Sequence, residues 1–189
     1  MRILGVDPGL TRCGLGVIEA GRSRTIALVD VSVARSSANA EVPDRLASIA
    51  DAFDAALNKH QPDAVALERV FAQHNVRTVM GTAQISGVVM ATAARRGIPV
   101  ALYTPSEVKA AVTGSGRADK AQVSFMVAKL LGLDSVPGPA DAADALAIAI
   151  AHAWRGGAGP TAAGPGNPGS VTPAQRRWAE AEKAARKRG

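Results

Sequence analysis

Three strand-like runs crowd into the first 33 residues, and the connections between them are too short to hold a crossover helix. Ile3 to Val6 is short and apolar, Gly14 to Glu19 follows a seven-residue turn, and Val29, Val31 and Val33 alternate with Asp30 and Ser32. Such tight joining points to an antiparallel meander. After it the pattern changes. Leu46, Ile49, Ala50, Phe53 and Leu57 recur at helical spacing after Pro43, and the run ends before Gln61-Pro62. Ala64 to Glu68 reads as a fourth strand. A helical stretch from Asn75 to Arg95 closes with cations in its last turn and Gly97 beyond, and Ile98, Val100 and Leu102 alternate as a fifth strand. Thr104-Pro105-Ser106-Glu107 supplies an N-cap, Pro at N1 and Glu at N3, which open a short helix. Asp119 caps another, running to Leu131 and stopped by Gly132; a last one starts at Pro139-Ala140-Asp141 and runs to about Trp154. The order βββ-α-β-α-β-α-α-α predicts an α/β fold. Its five-stranded mixed sheet has three antiparallel strands and two parallel additions, flanked by helices.

Charge and composition divide the chain. Residues 1–155 carry 16 basic and 14 acidic side chains; residues 156–189 carry 6 and 2, so most of the net +6 lies in the tail. From Gly156 to Thr172, nine of seventeen residues are Gly or Pro, too little apolar surface to offset ordering entropy. The expectation is a folded domain over 1–155 and, over 156–189, a flexible Gly/Pro-rich linker with a basic C-terminal tail. That cationic tail attracts polyanions without specifying which, and a solvated tail with no partner explains it equally. A lone cysteine, Cys13, excludes a disulfide-stapled secreted module. No apolar run reaches the roughly 18 residues of a membrane span, and MRILGVDPG reads as a strand entering a turn, not a signal peptide. A soluble, cytoplasmic protein without membrane contact is expected.

An acidic residue at the end of an apolar strand needs a reason. Asp7 closes Ile3-Leu4-Gly5-Val6, and Glu68 closes Ala64-Val65-Ala66-Leu67. If the two strands are parallel neighbours, both carboxylates emerge at the carboxyl edge, where open α/β sheets place ligands. Asp141 and Asp144 stand at i and i+3 in the first turn of the last helix, and the alanines around them let that helix approach the sheet closely. Four converging carboxylates with no obvious basic partner repel one another unless cations are bound. Hard oxygen donors favour Mg²⁺ or Mn²⁺ over zinc, and such a cluster suits two ions that stabilise the attacking and leaving oxygens of a phosphoryl displacement. Singly, Asp7 could merely start the turn Asp7-Pro8-Gly9, and Asp141 with Asp144 could be ordinary helix-start acids. Jointly those readings weaken, because no turn or cap requires acids at both strand ends.

The blocks ILGVDPGLTRCGLGVIE, ALERVF, GSGRADKAQV and DAADALAIAIAH, in this order and spacing, resemble the bacterial RuvC Holliday-junction resolvases over about residues 1 to 153. The resemblance implies a ribonuclease H-like fold, a homodimer, and Mg²⁺-dependent paired nicking of four-way DNA junctions in recombination and repair, with RuvA and RuvB as the branch-migration partner. Its four acidic residues correspond to Asp7, Glu68, Asp141 and Asp144, its junction-inserting aromatic to Phe71, and two DNA-facing lysines to Lys109 and Lys120.

The residues supply roles for these positions. Asp7 would bridge two ions, with Mn²⁺ able to replace Mg²⁺, while Glu68 and Asp144 or Asp141 complete the coordination. Water attacking in line would leave a 3′-hydroxyl and a 5′-phosphate. Lys109 and Lys120 follow Gly/Ser-rich or capped helix starts suited to phosphate, although solvated lysines explain them too. Phe71, one of six rings in the chain, is either a core aromatic or a stacking platform for an unpaired base. Arg69 is a phosphate contact or equally a counter-ion for the acids. His152 lies roughly 12 Å along the helix from Asp144, too far to share its ion; His60 and His74 read as solvated. An actin-like phosphotransferase shares the Gly5-Val6-Asp7-Pro8-Gly9 turn but needs two domains. A non-cutting junction scaffold and a nuclease acting on RNA are the other rivals. For dimerisation, the face Val76, Val79, Met80, Ala83 and Val88 of the long helix is the candidate surface, although core burial explains it as readily.

Overall fold

The strands β1 (Arg2–Asp7), β2 (Arg12–Ala20), β3 (Ile26–Arg35), β4 (Ala64–Glu68) and β5 (Val100–Tyr103) lie side by side in the order β3-β2-β1-β4-β5. The computed structural model describes residues 1–69 and 76–155, with side chains for 1–69 and 79–155. β1 pairs antiparallel with β2, and β2 with β3; β1 pairs parallel with β4, and β4 with β5. The sheet is therefore the mixed one expected from sequence. The helices are α1 (Val42–His60), α2 (Val76–Arg95), α3 (Pro105–Thr113), α4 (Lys120–Leu131) and α5 (Ala140–Arg155).

Alternation along each strand sorts the helices onto two faces. Leu4, Val6, Leu15, Val17, Val65 and Leu67 pack with Phe53 of α1 and Ile85 and Val89 of α2. Ile3, Ile18 and Ala66 pack on the opposite face with Val108 of α3, Val127 of α4 and Leu146 and Ile150 of α5. Period two then puts Asp7 on the face of Ile3 and Gly5, and Glu68 on the face of Ala66. Both acids belong to the side that α5 covers.

Helix α5 buries residues on every side, Ala142, Ala143 and Ala145 through Ala151, which a helix apolar all round must do. It approaches the sheet at backbone distance because Gly5, Gly14 and Gly16 lie beneath it. A Cβ at Gly5 would strike the Ala145 carbonyl oxygen, one at Gly14 the Asp141 carbonyl, and one at Gly16 would come within 2.8 Å of the Leu146 nitrogen. The close approach fixes the height of the first turn of α5 above β1 and β2.

Both expected helix starts carry reciprocal caps. The Thr104 side chain accepts from the Glu107 N–H while Glu107 accepts from the Thr104 N–H, and Asp119 and Gln122 do the same for α4. Three local readings change. β2 begins at Arg12, so only Pro8–Thr11 connect it to β1, because Arg12 and Cys13 pair with Arg35 and Ala34 of β3 beyond the end of β1. A short 3₁₀ turn, Arg22–Arg24, joins β2 to β3. His60 is buried rather than solvated: its Nε2 lies 2.8 Å from Asp30 Oδ2, which also takes the Lys59 ammonium at 2.6 Å and so ties α1 to β3.

All described residues fall within one unit, Met1–Gly157. The linker and basic tail expected over 156–189 lie outside the described residues, as does His74. Among the described residues no helix is long and apolar enough to cross a membrane.

Candidate active site

β1 and β4 run parallel with Val6 opposite Leu67, so one further step brings Asp7 level with Glu68 at the carboxyl edge of the sheet. From the other side, β1 holds Asp7 opposite Gly14 of β2, and the Asp141 backbone rests on Gly14. Asp144, one turn on, lines a cavity of about 210 Å³ together with Glu68, Lys109 and Lys120. Its apolar walls come from Val108, Val123 and Ile148. Two strand ends and one helix start thus bring the four carboxylates into a single field.

The electrostatics record that convergence. Burial is the largest cause raising the Asp7 carboxyl from 3.8 to about 7, followed by the charges of Glu68, Asp144 and Asp141; Lys120 opposes them. Glu68 is also raised, first by burial and then by Asp144, while a hydrogen bond from Asp7 and the charges of Lys120 and Lys109 pull it back. Asp7 is therefore the member that keeps its proton closest to neutral pH when no cation neutralises the cluster, and it hydrogen-bonds Glu68.

Two basic partners stand beside the acids, and neither is the Arg69 that the sequence offered as a counter-ion. Lys120 Nζ donates to Asp144 Oδ2 at 2.6 Å, and Arg12 Nε lies 3.2 Å from Asp141 Oδ2. The Arg12 contact is a charge contact only, since Asp141 Oδ2 is buried and accepts no hydrogen bond. The sequence reading missed Arg12 because it began β2 at Gly14. Two residues before Gly14, Arg12 shares its face of the strand and hence the side covered by α5.

Of the other candidates, Lys120 and Lys109 line the same cavity as Glu68 and Asp144. Lys120 is the first residue of α4, and its ammonium points into the acids. Lys109 lies in the middle of α3, not at its start, and acts electrostatically on Glu68. Exposed Arg69 donates its backbone N–H to the Tyr103 carbonyl at 2.7 Å, and its charge is felt at Glu107. Phe71 lies outside the described residues. His152, set aside as an ion ligand, has its Nδ1 2.9 Å from the Tyr103 hydroxyl and lies among core contacts that lower its pKa through burial. On α2, Ile85, Val89 and Ala93 form the buried stripe, whereas Met80 is 55% and Met90 38% exposed. Of the face singled out for dimerisation, Met80 and Ala83 are exposed and Val79 and Val88 half-buried; the Val76 side chain lies outside the described residues.

The donor set suits a hard divalent ion. It is all carboxylate, it holds a buried oxygen with no hydrogen-bond partner in Asp141 Oδ2, and burial together with the neighbouring acids pushes Asp7 up to about 7. Among the described residues no three His, Cys, Asp or Glu side chains are already gathered as a ready-made coordination shell. Lys120 and Arg12 hold two of the acids instead.

A family model described as "Crossover junction endodeoxyribonuclease RuvC" matches residues 3–152. The crossover junction endodeoxyribonuclease RuvC of Paenarthrobacter aurescens is 60% identical over 188 residues, which covers 100% of this chain and 98% of the relative. A solved Thermus thermophilus RuvC structure superposes with a TM-score of 0.78 at 35% identity, over 84% of this chain and 97% of that one. T. thermophilus RuvC in complex with a Holliday junction substrate gives 0.77 at 35% identity, over 82% and 93%.

Proposed function

The chain belongs to the RuvC family of crossover junction endodeoxyribonucleases, and on that premise we propose that Asp7, Glu68, Asp141 and Asp144 are the carboxylates with which it cuts four-way junction DNA. The observation that carries this reading is the burial of Asp7 amid three other carboxylates, which holds its carboxyl at about 7. A folded protein has no structural use for such a cluster; a metal-dependent nuclease does. The ions we assign are two Mg²⁺, with Mn²⁺ able to substitute.

Held there, the ions would supply a deprotonated attacking water and charge stabilisation for an in-line displacement. The chain's own residues do the rest. Asp7, on the rigid central strand, fixes the base of the site. Lys109 and Lys120 draw the phosphate backbone over the cavity mouth, and Val108, Val123 and Ile148 behind them exclude water from one side. The water oxygen bonds to phosphorus as the bond to the 3′ oxygen breaks, leaving a 3′-hydroxyl and a 5′-phosphate. Phe71 stacks on a base opened at the junction and Arg69 contacts a flanking phosphate. The reaction is set in the cytoplasm, on junctions delivered by a RuvA and RuvB complex.

The test uses a synthetic four-way junction, a linear duplex and an RNA hybrid of matched length, with and without Mg²⁺. The expected result is Mg²⁺-dependent, paired nicking of the junction alone. Glu68→Gln is expected to bind the junction with parental affinity and to cut at least about 10²-fold more slowly. Lys109→Ala should weaken junction binding and reduce the slope of log affinity against log salt by about one. Cutting by Glu68→Gln at the parental rate would remove the metal assignment, and cleavage of the hybrid in preference would move the substrate to RNA.

Paired nicks need two sites, and the outward face of α2 offers a surface for a second copy through Met80, Ala83 and Met90. Light scattering at micromolar concentration is expected to report a dimer for the parent and a monomer for Met80→Glu. A monomeric parent would contradict the assignment.

A further inference from the structure

The acid cluster already contains a cation, and it belongs to the chain. Lys120 Nζ sits 2.6 Å from Asp144 Oδ2, and its charge also reaches Asp7, Asp141 and Glu68. Its anchor is fixed by a helix cap while its arm lies largely in solvent. The Asp119–Gln122 cap fixes the first turn of α4, yet the Lys120 side chain is 62% exposed along its length. The ammonium carries three N–H donors on a flexible four-carbon stem, so it can swing from the Asp144 carboxylate oxygen to the oxygens of a nearby phosphate.

We propose that Lys120 is a resident counter-ion that a divalent metal must displace from Asp144, and that the freed ammonium then takes a phosphate of the bound strand. This rests on the nuclease reading above and adds an order of events and a coupling to it. A phosphate arriving over the cavity draws Lys120 off Asp144 and uncovers that carboxylate; a metal arriving first releases Lys120 for the phosphate. By linkage, each ligand strengthens the other through one side chain. Without DNA the site is neutralised and weak for metal, which restrains metal-driven cutting of non-cognate strands.

Arg12 differs in a way that makes the exchange specific to Lys120. Its Nε stands 3.2 Å from Asp141 Oδ2 without making a hydrogen bond, so little has to break when a metal replaces it. Lys109 serves as the internal control, since its charge acts on Glu68 while no hydrogen bond ties it to any of the four acids.

The exchange is read by reductive methylation of lysines in the full-length protein, with labelling at each site followed by mass spectrometry, and by calorimetry of Mn²⁺ binding to the same samples. The expected result is a several-fold rise in Lys120 labelling on adding Mg²⁺, with Lys109 unchanged. Asp144→Asn should raise Lys120 labelling to that level with no metal present. Lys120→Gln should bind Mn²⁺ about 3- to 10-fold more tightly than the parent without DNA, and should lose most of the gain in Mn²⁺ affinity that a non-cleavable phosphorothioate junction confers on the parent. Mn²⁺ heat that Asp7→Asn abolishes, together with unchanged Lys120 labelling, would overturn the exchange and leave the nuclease reading standing. Absence of any Asp7-dependent Mn²⁺ heat would overturn both.

Discussion

Replacing Asp7 by Asn is expected to abolish junction cleavage and to make the metal-free protein more stable at pH 8. The two effects share a cause. In the fold the carboxyl titrates at about 7 rather than 3.8, so between these values the native state binds more protons than the unfolded chain. Stability therefore falls as pH rises through that window, and the loss is complete above it. The ionised carboxylate costs the metal-free fold at most about 4 kcal/mol at pH 8. Asn is neutral and nearly isosteric, and its amide can still donate to Glu68. After an allowance for imperfect replacement, a gain of about 2 kcal/mol is expected, or roughly 4 to 8 °C in Tm for a domain of this size. Thermal unfolding in a chelator should show the parent losing stability from pH 5 to pH 8 while Asp7→Asn changes much less. Saturating Mg²⁺ should raise the parent's Tm at pH 8 and leave the variant's unchanged. A variant less stable than the parent at pH 8, or one that still cuts, would break the link between burial, repulsion and catalysis.

Gly14→Ala has the opposite character, because it harms both the fold and the site. Its Cβ would strike the Asp141 carbonyl oxygen and lie 2.8 Å from the carbonyl carbon, with the Ala145 methyl 3.2 Å away. None of these is the end of a flexible side chain. Either α5 lifts off the sheet or β2 bends, and both are packed against core. Overpacking of this kind costs about 3 kcal/mol, which lowers Tm by roughly 6 to 12 °C. The same movement shifts Asp141 and Asp144 relative to Asp7, and an ångström of misplacement is worth about 10²-fold in rate. Calorimetry and junction cleavage on one preparation test both halves. A variant with parental Tm and rate would show that α5 does not set the height of the acids.

The fold was legible wherever local chemistry dictated it. Period-two runs gave five strands, caps at Thr104 and Asp119 gave α3 and α4, and the order of elements gave a mixed sheet. Asp7 and Glu68 could be picked out because a carboxylate at the end of an apolar strand has no cheap structural reason, and Asp141 and Asp144 because they share a face at the start of an alanine-rich helix. What escaped was long-range. Arg12 reaches Asp141 across 129 positions (141 − 12), and nothing near Arg12 announces it. The burial of His60 depends on Asp30 from another strand, and the charge on Lys120 faces inward because α4 packs beside α5. Expecting acids without basic partners failed for the same reason: a counter-ion is chosen by packing, and packing between distant elements leaves little local trace.

The central claim is that these four carboxylates hold divalent ions in common at the carboxyl edge of β1 and β4. Paramagnetic broadening by Mn²⁺ in an isotope-labelled NMR spectrum measures it directly. At substoichiometric Mn²⁺ the backbone amides of Asp7, Glu68, Asp141 and Asp144 should broaden first and together, those of Asp30 and Glu19 should remain sharp, and Asp7→Asn should abolish the effect. Broadening that begins elsewhere, or that reaches only one of the four acids, would contradict the account.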